Sequence, residues 1–178
     1  MTTAIQAHAV AAIFPMMNDD EYAALVADIH QHGQHEPIWL LDNQILDGRN
    51  RWQACADLGI PPYTRQYEGP IGMRSLVDFV VSLNLKRRHL TSSQKATVGV
   101  NIKAQFKETN TVGRPAGNSG NISGISDADD RESRNLAGEI VGVSGRYIDE
   151  AERIQDAAPD LFADVQRGEI SIPQAKRK

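Results

Sequence analysis

The sequence predicts an α+β chain: a strand-and-helix N-terminal domain over residues 1–109, a flexible linker over 110–133, and an all-α helix-turn-helix domain over 134–178. Three observations carry this. Short apolar runs such as Pro37-Ile38-Trp39-Leu40-Leu41 alternate with amphipathic helical segments in the N-terminal part. Residues 110–133 are rich in Gly, Ser and Asn, with almost nothing to bury. Beyond them, two helical segments flank Gly142-Val143-Ser144, the pattern of helix, glycine turn and helix.

Composition bounds the function. The chain has 178 residues, 40% hydrophobic and 24% charged, as in ordinary globular proteins. No apolar run approaches membrane-spanning length, and Met1-Thr2-Thr3-Ala4-Ile5 lacks the basic start of a secretory signal, so no membrane partner is expected. The single cysteine, Cys55, excludes an internal disulfide and a cysteine-based zinc cage, and a reducing cytoplasm is the expected location. A net charge of −4 argues against a basic coat but leaves room for a local basic face.

Taken in order, residues 5–16 read as a strand or extended lead-in ending at Pro15. Asn18 and Glu21 have capping-box spacing at a helix start, flanked by the staple pair Met17 and Tyr22. Tyr22, Leu25, Val26 and Ile29 repeat at helical spacing, and Gly33 ends the helix. His30, His32 and His35 follow closely, open to a metal-site reading or a solvated helix end. Pro37 to Leu41 predicts a strand, and Asp42-Asn43-Gln44 a tight turn into Ile45-Leu46.

Ile45-Leu46-Asp47-Gly48-Arg49-Asn50-Arg51 then reads as a strand end, one glycine, and a helix start bearing two arginines. Unpaired N–H groups and the helix dipole suit an anion there, and guanidinium forks match phosphate oxygens. The competing reading is a surface helix with solvated arginines. Trp52, Cys55 and Leu58 share one face, which makes Cys55 a small core residue. Gly59 ends this helix, and Pro61-Pro62 forbids its continuation. Tyr63 to Tyr67 predicts a short strand, and a helix follows from Pro70 to about Leu83.

Charge is concentrated next. Between Asp78 and Glu108 no acid occurs, while Lys86, Arg87, Arg88, Lys95, Lys103 and Lys107 give net +6, a surface expected to face phosphate unless it is simply a solvated helix face. Thr91-Ser92-Ser93-Gln94 has capping-box spacing for a helix to about Lys107, so Asn84, Arg87 and Arg88 precede a second helix N-terminus. Gly113-Arg114-Pro115 has the composition of a minor-groove hook. In the last domain, Ile140, Val143 and Ile148 are placed to pack the two helices together. Ser144, Gly145, Arg146 and Tyr147 stand at the start of the second, where bases or phosphates are met. Against this, residues 131–178 hold eight Lys/Arg and nine Asp/Glu, with Asp149, Glu150 and Glu152 on the recognition helix itself, so a helical hairpin for protein contacts stays open. Pro159 to Arg167 predicts a further helix, and Gly168 to Ala175 another element.

Four segments in this order resemble the ParB family of plasmid and chromosome partition proteins. Gly33-Gln34-His35-Glu36-Pro37-Ile38 resembles its glycine-x-x-glutamine-proline-isoleucine approach to the first strand. Gly48-Arg49-Asn50-Arg51-Trp52-Gln53-Ala54 resembles its glycine-glutamate-arginine-arginine-x-x-alanine box, and Asn84-Leu85-Lys86-Arg87-Arg88-His89-Leu90-Thr91 its asparagine-x-x-arginine-x-x-leucine-threonine box. Val143 to Ile148, followed by Gly168-Glu169-Ile170-Ser171, resembles its DNA-binding region.

The resemblance implies a ParB/sulfiredoxin-like N-terminal domain with a short mixed sheet, double-stranded DNA as partner, a homodimer on that DNA, and association with a nucleoid or plasmid. It further implies a pocket for CTP with Mg2+. Gly48, Arg49, Asn50 and Arg51, with Arg87 and Arg88, would hold the triphosphate, and Asn84 would stand on the metal side. The chain departs from the family at Arg49 and Asn50, and at Leu83, which stands where the family has a glutamate. Loss of that carboxylate implies binding with at most weak CTPase activity. Sulfiredoxin-type chemistry is not expected, because its reactive cysteine position is Arg49 here. Two alternatives stand beside this reading: a small phosphotransferase or nucleotide hydrolase on the same fold, and a plasmid or phage transcriptional regulator that uses no nucleotide.

Overall fold

The computed structural model describes residues 5–85, 90–112 and 127–178, with side chains throughout except at 108–112 and 127–129. Among the described residues the chain is mixed α and β, mostly helical, with eight α-helices and one three-stranded mixed sheet. It divides into two compact units, Met1–Ile71 and Gly72–Lys178.

The first unit opens on a 3-10 turn, Ala9–Ile13, where the sequence suggests a strand. The turn buries Val10, Ala11 and Ile13, and only Ala7 makes a strand-like bridge, to Ile45. Apolar run and strand part company here because His8 Nδ1 accepts the Val10 N–H, a local bond that curls the backbone. Helix α1, Asp19–His32, starts as expected: Asn18 Oδ1 accepts the Glu21 N–H at 2.8 Å, and Glu21 returns the bond to the Asn18 N–H at 3.2 Å. Gly33, at φ +80°, ends it.

Strand β1, Ile38–Leu41, turns through Asp42 and Asn43 into β2, Gln44–Asp47. Asp42 and Asn43 take positive φ of 47° and 60°, the handedness that matches the twist of a two-residue hairpin and that Asp and Asn tolerate. Strand β3, Thr64–Gln66, pairs parallel to β1, giving the order β2-β1-β3. The parallel crossover is made by helix α2, Arg49–Asp57. Its Ala54 and Cys55 pack on Ile29 of α1, flanked by Tyr22, Leu25, Val26 and Leu58, so Cys55 is a core residue. Burial pushes its thiol above the ordinary value, although Arg51 acts in the opposite sense.

Among its described residues the second unit has helices and turns and no strand. Helix α3 is Met73–Leu85, α4 Ser92–Val112, α5 Asp127–Val141, α6 Gly145–Ala157, α7 Pro159–Arg167 and α8 Ile172–Ala175. Helix α4 is its axis. Ala96, Val98, Val100, Ile102 and Phe106 are buried on more than one of its sides, and α5, α6 and α7 pack around it. Gly99 lets α6 approach closely: a Cβ there would lie 2.7 Å from Ile148 Cδ1.

Two boundaries differ from those expected. Helices α3 and α4 belong to the compact unit of the helix-turn-helix, because α4 supplies the apolar and charged surface on which α5 and α6 rest. The segment read as a linker is helical at both ends, since α4 continues to Val112 and α5 begins at Asp127. The remainder of that segment, including Gly113-Arg114-Pro115, lies outside the described residues.

Candidate functional site

The helix-turn-helix is built as its residues dictate. Helix α5 ends at Val141, and Gly142 turns the chain at φ +74°, a conformation that is costly for residues with a Cβ. The Gly142 and Val143 N–H groups both donate to the Gly138 carbonyl. Gly138 is required for a second reason: a Cβ there would stand 2.6 Å from the Val143 carbonyl oxygen. Ser144 then caps α6, its Oγ accepting the Tyr147 N–H at 3.3 Å. Ala137, Val141, Ile148 and Ala151 are buried.

Of the four residues expected at the nucleic acid, the structure leaves two outward. Ser144 and Arg146 are exposed. Gly145 faces α5, where a Cβ would meet Asn135 Oδ1 at 2.7 Å. Tyr147 is half-buried, and its hydroxyl lies 2.9 Å from Ser93 Oγ on α4. Its aromatic body is amphipathic, and an available hydroxyl at the α4 start draws it inward. Arg153, which sequence reasoning did not single out, is exposed two helical turns beyond Arg146 on the same face of α6. The spacing of seven residues was the available signal.

Asp149, Glu150 and Glu152 of α6 are engaged in ion pairs. Lys103, only 2% exposed, places its Nζ 2.6 Å from Glu152, 3.0 Å from Asp130 and 3.5 Å from Asp149. Lys107 Nζ reaches Asp130 at 2.5 Å and Glu152 at 3.5 Å, and Arg134 bonds Asp149. Glu150 pairs with Lys176 of the chain end at 3.3 Å. Burial alone would lower the Lys103 pKa, but the bonds to Glu152 and Asp130 outweigh it and leave it raised. Burial likewise acts against the Asp130 charge, and Lys107 and Lys103 overcome it, so that carboxyl is held below the ordinary range. The expectation of a single basic face over Lys86–Lys107 is therefore corrected: Lys103 and Lys107 are internal counter-charges of α5 and α6.

In the first unit, the arginine box occupies the predicted helix start, and its side chains are engaged with protein groups. Gly48 precedes α2 at φ +101°, and no side chain caps the first turn. Arg51 Nη2 donates to Asp47 Oδ2 at 2.9 Å and to the Pro37 carbonyl at 3.1 Å. The missing Cβ of Gly48 makes room for this, since one would lie 3.0 Å from Arg51 Nη2. Arg51 Nε is buried with no hydrogen-bond partner. Arg49 Nη2 donates to the Phe14 carbonyl at 2.5 Å, and Asn50 Oδ1 accepts the Met17 N–H at 3.3 Å. Asp47, at the strand end before Gly48, is thus the partner that holds Arg51.

Gln34, named in the sequence only as part of the segment before β1, ties that segment down. Its Nε2 donates to the Glu36 and Tyr63 carbonyls, and its Oε1 accepts the Tyr63 N–H at 2.8 Å. Asn84 lies in the second unit, where its Nδ2 donates to the Val80 carbonyl at 2.9 Å, while Arg87 and Arg88 lie outside the described residues. Among the described residues no group of three His, Cys, Asp or Glu is placed to hold a metal, and His32 pairs with Asp28 at 2.9 Å. Also among the described residues, no helix is long and apolar enough to cross a membrane.

The chain matches no family model and no curated protein sequence at a significant level.

Proposed function

We propose that this is a DNA-binding protein of partition-like or regulatory type, which sets α6 into the major groove of double-stranded DNA. The observation that carries the reading is the helix-turn-helix itself. Gly138 and Gly142 close the turn, Ser144 caps α6, and Arg146 stands exposed on its first turn. The N–H groups of that turn and the Arg146 guanidinium together suit a phosphate, and Arg153 is spaced for the next groove contact. Binding as a homodimer, and association with a nucleoid or plasmid, belong to the same proposal through the ParB resemblance. A salt-titrated binding assay on duplex DNA tests it. Arg146→Ala should weaken binding and reduce the slope of log K against log salt by about 1. Equal binding by mutant and parent would remove the role.

The second part of the proposal concerns α2: a nucleoside triphosphate, CTP with magnesium, acting as a switch. It is supported by the uncapped first turn after Gly48 and by the buried, unpartnered Arg51 Nε. The remaining side chains of the box fit less well as they stand, because Arg51 would have to exchange Asp47 for phosphate. A triphosphate bound there supplies charge that would draw Arg51 from Asp47. Leu83, where the family has a glutamate, favours binding over hydrolysis, against the alternative of a phosphotransferase or nucleotide hydrolase. The test is thermal stability with and without CTP and magnesium. A CTP-dependent rise lost in Arg51→Ala is expected, and no shift with any nucleoside triphosphate would overturn the nucleotide part alone.

A further inference from the structure

Helix α6 carries four acids, Asp149, Glu150, Glu152 and Asp156, against two arginines, Arg146 and Arg153. As an isolated helix it would repel DNA. In the folded unit three of those acids are matched. Asp149 is held by Lys103 and Arg134, Glu152 by Lys103 and Lys107, and Glu150 by Lys176. Arg146 and Arg153 make no ion pair among the described residues and stay exposed. Asp149 and Glu152 are thus bound from the side of α4 and α5, while Glu150, on the same face as Arg146 and Arg153, is matched by the exposed Lys176, and Asp156 is exposed.

We propose that Lys103, seconded by Lys107, is a charge mask for the DNA-facing helix: it neutralises Asp149 and Glu152 from within, so that the outer face of α6 is positive toward phosphate. This rests on the DNA-binding reading above and adds a residue outside the interface that sets its affinity. The geometry suits the role. Lys103 is almost fully buried, so its ammonium cannot contact DNA, and it contacts acids from two helices of the motif. Mobile salt could screen exposed carboxylates only at high ionic strength, whereas a fixed internal cation does so at any. With Lys103 removed, Asp130, Asp149 and Glu152 share only Lys107 and Arg134, and at least one carboxylate is left to repel the DNA backbone.

The test uses the full chain and a short mixed-sequence DNA duplex, with affinity measured across a salt series and melting followed in parallel. Lys103→Met should weaken binding about tenfold or more at low salt, a deficit that shrinks as salt rises. Adding Asp149→Asn and Glu152→Gln to Lys103→Met should restore most of the affinity, because the unmasked charges are gone. Should Lys103→Met fail to fold, Lys107→Met, at a partly exposed site, should show a smaller loss with the same salt dependence. A deficit that persists unchanged at high salt, or that the carboxamides do not rescue, means Lys103 is only structural and overturns the proposal. Affinity equal to the parent in both lysine variants also overturns it while leaving the DNA reading intact. A parent chain that binds no DNA overturns that reading and this proposal together.

Discussion

The hydroxyls of Tyr147 and Ser93 lie 2.9 Å apart, and the same Ser93 oxygen accepts the backbone N–H of Ile172 at 3.1 Å. One buried serine at the start of α4 therefore ties together the first turn of α6 and the first turn of α8. Ser93→Ala should destabilise the second unit by about 1–3 kcal/mol, because it leaves the Ile172 N–H buried without a partner. Tyr147→Phe should cost about 1 kcal/mol and leave DNA affinity near that of the parent, since the phenol is held inside the unit. Chemical denaturation and the DNA assay check the two halves; a large affinity loss in Tyr147→Phe without a stability change would return that side chain to the groove.

Gly138 is set against the Val143 carbonyl so closely that a methyl group would fall 2.6 Å from the oxygen. Backbone cannot yield as a flexible side chain does. Gly138→Ala is expected to lower stability by about 1–3 kcal/mol, through overpacking alone. At Gly99 the clash would be with the Ile148 side chain, so Gly99→Ala combined with Ile148→Val should recover part of its own loss. Melting curves of the single and paired variants measure this.

Acid should unpick the charge cluster. The Asp130 carboxyl titrates below its ordinary value of 3.8 in the folded chain. Its stabilising contribution is therefore complete above that value and is lost as pH falls through the lower, folded-state value. Lys103 is shifted the other way, raised above 10.5, so its contribution is complete below that value and fades only as pH rises through the folded value. Stability measured against pH should be level with respect to this pair between those limits and fall on the acid side. Asp130→Asn should flatten the acid limb.

Tyr22 donates its hydroxyl to Asp57 Oδ2 at 2.5 Å, and burial followed by that bond pushes its pKa up to about 12. Ultraviolet titration should find one tyrosine ionising near that value. Asp57→Asn should bring it only part of the way back, because burial raises it independently of Asp57.

Arg51→Ala should destabilise the first unit whatever its ligand, by about 1–3 kcal/mol, since it leaves the half-buried Asp47 carboxylate without its cation. Asp47→Asn should cost less, because Arg51 keeps the Pro37 carbonyl. The nucleotide test must accordingly read the shift caused by CTP within each variant and not the melting point itself.

Local chemistry was readable directly in the residues. The Asn18 and Glu21 box, the Gly33 stop, the Asp42-Asn43 turn, the Ser144 cap and the span of α7 from Pro159 to Arg167 all follow from bonds made within a few residues. So does the burial of Cys55, which periodicity along one helix predicts. Partners distant in sequence were not readable. Lys103 and Lys107 look like solvated or phosphate-facing cations until α5 and α6 fold onto α4 and bring Asp130, Asp149 and Glu152 to them. Arg51 looks like a free fork until the β1 and β2 ends supply Pro37 and Asp47, and Tyr147 looks like a groove contact until Ser93 meets it. Short-range hydrogen bonds and periodicity depend on neighbouring residues alone. The sign of the field around a side chain depends on every charge the tertiary fold brings near, and here that decided which cations face inward and which remain exposed.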